Sequence, residues 1–327
     1  MIPVELSQDS TGAPALDGSS GSLVAVLKFA LPQLGWTLEF ESGDGLRAVF
    51  RNSAQTGTGY YLRVIDDPAT GAQNGSRQAQ VQAYADMTDV DTGTDPHPDP
   101  ASGNAFWSKT KSNTSGATNW RVIGTDTFFW WLPDTIQDDF SMAALWYAGD
   151  VIPISLSDIN NFVLGAHTVP DPIDQKDVNP FGKITGDWND VTNNAVVNPW
   201  TRRFDGAANG GRAATVGFAP GGGAPSIIGR NGDFPDRITG DINTSRIYLS
   251  DSNEGWSLRG LLPGILQPLV KMDVDGSSPH SHSSLLQNIS NGRNLTNVRL
   301  LLTADEYSRD FTEGAALIDV GSDWSNW

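Results

Sequence analysis

The chain has 327 residues and a formal net charge of −17, made by 32 Asp and only 6 Glu against 15 Arg and 6 Lys. Such an acidic surface argues against sequence-independent binding of nucleic acid and against an anionic membrane surface, both of which would repel it. The absence of cysteine excludes disulfides and thiolate metal sites, and a 38% hydrophobic, 18% charged composition excludes a disordered chain.

Asp in place of Glu marks turns, because the short carboxylate competes with the helical backbone. The 35 Gly and 19 Pro add to that signal, so many short strands are expected and a mainly β fold follows. The opening Met1-Ile2-Pro3-Val4-Glu5 has no basic n-region and no apolar h-region, so no signal peptide is read there. No apolar run approaches the 18 residues of a membrane span.

In chain order, residues 1–18 are polar and loop-like. Ser19-Ser20-Gly21-Ser22 then precedes an apolar stretch from Leu23 to Leu31 that closes on Pro32 and Gly35. Serine at the cap and apolar residues three to four apart predict one core helix packed on a sheet. Residues 36–41 and 46–52 flank Ser42-Gly43-Asp44-Gly45, which predicts a hairpin. Residues 59–67 predict a strand, and 77–85 alternate Gln with Ala and Val as a strand with one wet face. Residues 120–124 and 127–132 predict a second hairpin, and 141–150 a strand. An α+β unit of one helix and about seven strands is thus expected over 1–160.

Residues 161–245 change character, with Pro170, Pro172, Pro180, Pro220, Pro225 and Pro235 and the run Gly221-Gly222-Gly223. Long irregular stretches in compact proteins usually bind something, so this segment is read as extended loops or an arm that orders against neighbouring subunits. A β-rich segment over 246–327 follows, with strands at 246–250, 298–303 and 315–320. Trp324 and Trp327 at the C-terminus are costly to expose. With Phe181, Trp188 and Trp200 of the arm they form the candidate interface set.

The chemistry is sparse. His280 and His282 lie near Asp273 and Asp275, but spacing fixes no third metal ligand. His97, between Pro96 and Pro98, reads as a turn residue. A calcium loop counted from Asp89 places Asp91 at position 3 and Gly93 at position 5, but Pro100 falls where a bidentate Glu is needed. No Gly-x-Ser-x-Gly, Walker-type loop or Gly-x-Gly-x-x-Gly is present. No catalytic, cofactor-binding or metal residue is therefore nominated, and the expectation is no enzyme and no cofactor. Trp130 and Trp131 face opposite sides of a strand, so one could be exposed to stack on a sugar.

Three blocks carry a family resemblance. The first is Gly21-Ser22-Leu23-Val24-Ala25-Val26-Leu27-Lys28 with Gly35-Trp36-Thr37 and Ala48-Val49-Phe50-Arg51. The second is Tyr61-Leu62-Arg63-Val64 with Tyr84-Ala85-Asp86-Met87-Thr88-Asp89-Val90-Asp91-Thr92-Gly93-Thr94. The third is Trp120-Arg121-Val122-Ile123-Gly124-Thr125-Asp126-Thr127-Phe128-Phe129, leading to Tyr147-Ala148-Gly149-Asp150. Together they resemble the N-terminal domain of tailed-bacteriophage virion structural proteins, over about half the chain. Arg259-Gly260-Leu261-Leu262-Pro263-Gly264, with residues 317–324, is similar to the same proteins more weakly. The resemblance implies a structural component of the particle, at the tail or baseplate, assembled in the host cytoplasm. Its partners would be copies of itself and other virion proteins, and no catalytic residue carries over. Capsid decoration and a head–tail connector are alternatives within that class. A glycan-binding adhesion module at the tail tip, with a host surface glycan as partner, and a glycan-degrading enzyme stand outside it.

Overall fold

A computed structural model describes residues 2–67, 77–100, 104–110, 116–133, 146–167, 197–204, 206, 213–217, 244–251, 257–268, 285–287, 297–302, 315–321 and 323. Those residues are mainly β, with one helix. In chain order they form β1 (Val4–Ser7), α1 (Ser22–Leu34), β2 (Thr37–Glu41), β3 (Arg47–Arg51), β4 (Tyr61–Ile65), β5 (Gln78–Tyr84), β6 (Asp86–Asp89), β7 (Thr92–Thr94), β8 (Ala105–Ser108), β9 (Trp120–Gly124), β10 (Phe128–Pro133), β11 (Trp146–Asp150), β12 (Ile152–Pro153), β13 (Phe162–His167) and β14 (Val197–Thr201). Beyond these come β15 (Ala213–Gly217), β16 (Thr244–Asp251), β17 (Ser257–Pro268), β18 (Leu285–Gln287), β19 (Asn297–Leu302) and β20 (Ala315–Asp319).

The first sheet runs β1-β9-β10-β11-β13-β8-β5-β4-β3-β2, with β14 also paired to β13. Both end strands, β1 and β2, lie against α1, so the sheet curls around the helix. Rings from separated strands consequently meet inside. Trp107 of β8 and Phe129 of β10 are 5.8 Å apart, and Trp36 sits 5.2 Å from Phe129. This aromatic cluster with the apolar face of α1 is the main core.

The helix starts at Gly21 with no side-chain cap, contrary to the expected serine. Its free amide at Leu23 is met from far away, because Asp66 Oδ2 accepts it at 2.8 Å. At the other end the helix continues through Pro32 and stops on Gly35, at φ 99°. The Trp36 amide bonds Leu31 O at 3.0 Å and the Gly35 amide bonds Pro32 O at 3.1 Å. That pairing is a Schellman stop, which needs a left-handed residue.

The second sheet runs β15-β16-β17-β20-β19-β18, with β12 paired to β17. It packs on the outer face of β9, β10, β11 and β13 through Ile247, Leu249, Leu262, Ile265 and Ile318. A sheet covered on both faces should read as a continuous apolar run, and Phe128-Phe129-Trp130-Trp131-Leu132 does. Phe129 and Trp131 enter the helical core, whereas Phe128, Trp130 and Leu132 enter the core between the sheets. The Trp130 indole N–H donates to Pro263 O at 3.1 Å. Both Trp130 and Trp131 are fully buried, which removes the expectation that one of them is free to stack on a sugar. All seven described tryptophans are buried.

The Asp-rich stretch tested as a calcium loop is a hairpin of β6 and β7. Met87 packs beside Val49, Tyr61 and Tyr84 on the outer face of β3, β4 and β5. Asp91 is held between Arg47 and Arg63. The wet face expected on β5 is covered as well, since Gln82 is buried and donates to Pro98 O at 3.1 Å. The first sheet also runs past residue 160, because β13 and β14 belong to it. The irregular arm expected over 161–245 is thus interrupted by β13, β14, β15 and the start of β16, and the rest of it lies largely outside the described residues.

Candidate functional site

Chemistry-bearing side chains concentrate where the two sheets join, around residues 151–161. The turn there is closed by the Asp158 amide on Ser155 O at 3.0 Å. Asp158 is buried and accepts both arms of Arg259, from Nε at 2.7 Å and from NH2 at 2.9 Å. The same guanidinium donates to Arg202 O at 2.7 Å and to Asn160 O at 3.2 Å. A planar fork suits this bidentate task, which an ammonium could not duplicate. Arg259 is thus a clamp joining β17, the 151–161 turn and the end of β14.

The neighbouring Gly260 is fixed by contact. A Cβ there would lie 2.4 Å from Val151 Cγ2 and 2.9 Å from Ile152 O, so β12 can approach β17 only over glycine.

A second group lies directly beneath. The Tyr60 hydroxyl donates to Asn160 Oδ1 at 2.7 Å. Arg202 pairs with Asp95 at 2.9 Å. His97 sits between the rings of Tyr60 and Phe162, at 5.9 and 5.8 Å. It is not the turn residue expected, since it pairs with Ala83 in an antiparallel bridge. It is fully buried, its backbone is bridged to Ala83, and neither ring nitrogen has a hydrogen-bond partner. Burial, with the Arg202 charge nearby, pulls its pKa down to about 3, so the ring is neutral at physiological pH. Burial also raises the Tyr60 hydroxyl.

Two further polar groups are buried deeper. Lys109 Nζ donates to Asp66 Oδ1 at 2.5 Å and to Ser19 O at 2.6 Å, with both side chains fully buried. Burial pushes the Asp66 carboxyl up, opposed by the Lys109 ammonium. Asp150 accepts the Thr58 amide at 2.7 Å, the Thr58 hydroxyl at 2.6 Å and Asn52 Nδ2 at 3.0 Å. Burial lifts its pKa to about 6 despite those donors. Each of these carboxylates fastens chain segments distant in sequence. Among the described residues no three His, Asp or Glu side chains gather at metal-binding spacing.

The outer side of the junction is different in kind. Leu156 is 96% exposed, Ile159 74% and Ile154 55%, with Leu258 at 41% and Phe204 at 39%. The Ile154 amide bonds Arg259 O at 3.0 Å, next to Leu258, and Asn160 Nδ2 reaches Phe204 O at 3.3 Å, next to Ile159. Large apolar side chains left exposed beside a rigid polar base suit contact with another protein surface.

Of the predicted interface residues, Trp200 is described, and it is only 2% exposed, packed in the main core opposite Leu164. Its indole belongs to its own subunit. Phe181, Trp188, Trp324 and Trp327 lie outside the described residues, as do His280 and His282. Sequence reading missed the face altogether, although Ile154, Leu156 and Ile159 among Ser and Asn was the available signal. Compared with known proteins, the chain matches no family model, and no curated protein is similar to it.

Proposed function

We propose that this chain is a structural component of a bacteriophage particle, placed at the tail or baseplate and assembling with copies of itself and other virion proteins. The observation that carries the reading is the exposure of the large apolar side chains Ile154, Leu156, Ile159, Leu258 and Phe204 on a chain of net charge −17. A chain so charged stays soluble before assembly, while its exposed apolar side chains are left for a partner. The buried polar groups support the same role. Asp66 with Lys109, Asp158 with Arg259, and Asp150 with Thr58 each fasten distant segments, which gives an assembly subunit a stiff body. The resemblance of the three sequence blocks to virion structural proteins supports a role in a phage.

The test is to purify particles from a lysed host and digest them for mass spectrometry, with gold-labelled antibody locating the chain by electron microscopy. Stoichiometric recovery with label at the tail is expected. A chain absent from purified particles and confined to the soluble lysate would defeat the proposal, and label on the head would move it to decoration or to the connector.

A further inference from the structure

We infer that residues 95–98 form an acid-released latch: protonation of the His97 ring frees the segment from β5 and from Arg202 while the two sheets stay folded. In the closed form His97 is 1% exposed, with its ring 5.9 Å from that of Tyr60 and 5.8 Å from that of Phe162. Neither ring nitrogen has a hydrogen-bond partner. A neutral imidazole bears that site at the cost of unmade hydrogen bonds. An imidazolium would bring a charge and two N–H donors to a place that offers no acceptor.

The charges around the ring oppose its protonation. The Arg202 guanidinium, just after β14, acts on the ring as a like charge. Its counter-ion Asp95, on the ring's own segment, is half exposed and held at 2.9 Å by Arg202. Asp99 follows on the same segment, half-buried. The other packed elements bring Ala83 and Gln82 from β5, Phe162 from β13 and Tyr60 from just before β4. None of these is charged near neutral pH, because burial raises the Tyr60 hydroxyl further. The ring therefore takes a proton only once the segment has left its site.

Slight attachment makes the release local. Of residues 94–100 only His97 and Pro98 are buried, and Thr94, Asp95 and Pro100 are exposed. The ties are the two backbone bonds to Ala83, at 3.0 and 2.8 Å, the Gln82 side chain on Pro98 O at 3.1 Å, and the Asp95–Arg202 pair. A segment with so few buried contacts opens at lower free energy than the core behind it. That core responds to acid in the opposite sense at Asp150, whose folded pKa of about 6 lets it gain a proton in place. An imidazole free in water titrates at about 6.5, so a ring protonated only when open makes opening about 25-fold more favourable at pH 5 than at pH 7.

Native-state amide hydrogen exchange on the full-length chain reads the latch directly, because the Ala83 and His97 amides each donate to the other's carbonyl. After correction for intrinsic exchange rates, the opening constant of both amides is expected to rise about 25-fold from pH 7 to pH 5, against less than about threefold for amides of β10 and β11. His97→Leu and His97→Gln, which cannot titrate, are expected to show less than about threefold at position 83 over the same interval. The wild-type comparison stands by itself should either variant fail to fold. A wild-type rise below about tenfold overturns the inference. So does an equal rise in β10 and β11, which would mean that the whole body opens, or an undiminished rise in a folded variant, which would assign the effect to another group.

Discussion

Replacing Lys109 by methionine removes a charge while nearly preserving side-chain length, so it isolates the electrostatic part of the Asp66–Lys109 pair. In the wild type the ammonium satisfies Asp66 Oδ1 at 2.5 Å, while Oδ2 accepts the Leu23 amide at 2.8 Å, with neither side chain reaching water. Lys109→Met leaves a carboxylate buried with backbone amides as its donors and no cation. Breaking one partner of such a pair costs about 3–5 kcal/mol. For a 327-residue protein that lowers Tm by roughly 4–7 °C. The double variant Asp66→Asn/Lys109→Met is expected to recover most of the loss, because the Asn side-chain oxygen can still accept the Leu23 amide and no charge remains.

Acid should narrow the difference between wild type and Lys109→Met. Burial already raises Asp66, and losing the ammonium raises it further. A carboxyl whose folded pKa is raised contributes stability that is complete below its unfolded value and is lost as pH rises through the folded value. The deficit should therefore be larger at pH 8 than at pH 4. Urea unfolding followed by far-UV circular dichroism at both pH values measures it. A Lys109→Met protein as stable as wild type at pH 8, or a double variant no better than the single, would refute the reasoning.

Two buried groups should act in opposite directions on acidification. His97 has a folded pKa of about 3 against an ordinary 6.5, so its contribution is complete above pH 6.5 and falls away toward pH 3. At about 1.4 kcal/mol per pH unit the loss is on the order of 5 kcal/mol, and His97→Leu should flatten that acid limb in urea titrations. Asp150 has a folded pKa of about 6 against 3.8, so it adds stability below pH 3.8 that is lost as pH rises through 6. Its swing is about 3 kcal/mol, and Tm of Asp150→Asn should lack that gain between pH 6 and 4. Arg259→Met should cost about 3–5 kcal/mol by leaving Asp158 buried without its cation, with hydrogen exchange in β17 rising before that around α1. Trp130→Ala should cost about 3–5 kcal/mol by opening a cavity between the sheets, and a denaturant midpoint within error of wild type would count against the packing described.

Local chemistry was legible in the residue order. The helix, the hairpins at 36–52 and 120–132 and the strands at 246–250, 298–303 and 315–320 rest on periodicity and on turn residues, which act over a few positions. The doubly apolar run at 128–132 could be seen, but its two separate cores could not, because a strand does not record what lies on each of its faces. The start of α1 was misread for the same reason. Its amide is met by Asp66, 43 residues away from Leu23, and a nearby serine was the more visible candidate. β1 and the hairpin of β6 and β7 passed as loops, since their stability comes from β9 and from Met87 packing on Tyr61 and Tyr84.

What the sequence determined by itself was a cysteine-free, acidic, mainly β protein with one helix, since composition and short-range patterning are written in consecutive residues. The tertiary structure decided which polar residues became fasteners and which apolar residues stayed outside. Arg259 reaches Asp158 across 101 residues, His97 is buried by Tyr60 and Phe162, and Leu156 is held out at the tip of a turn. Burial is a property of the packed whole, so the order of residues records what each side chain can do and the packing alone selects which of them meet.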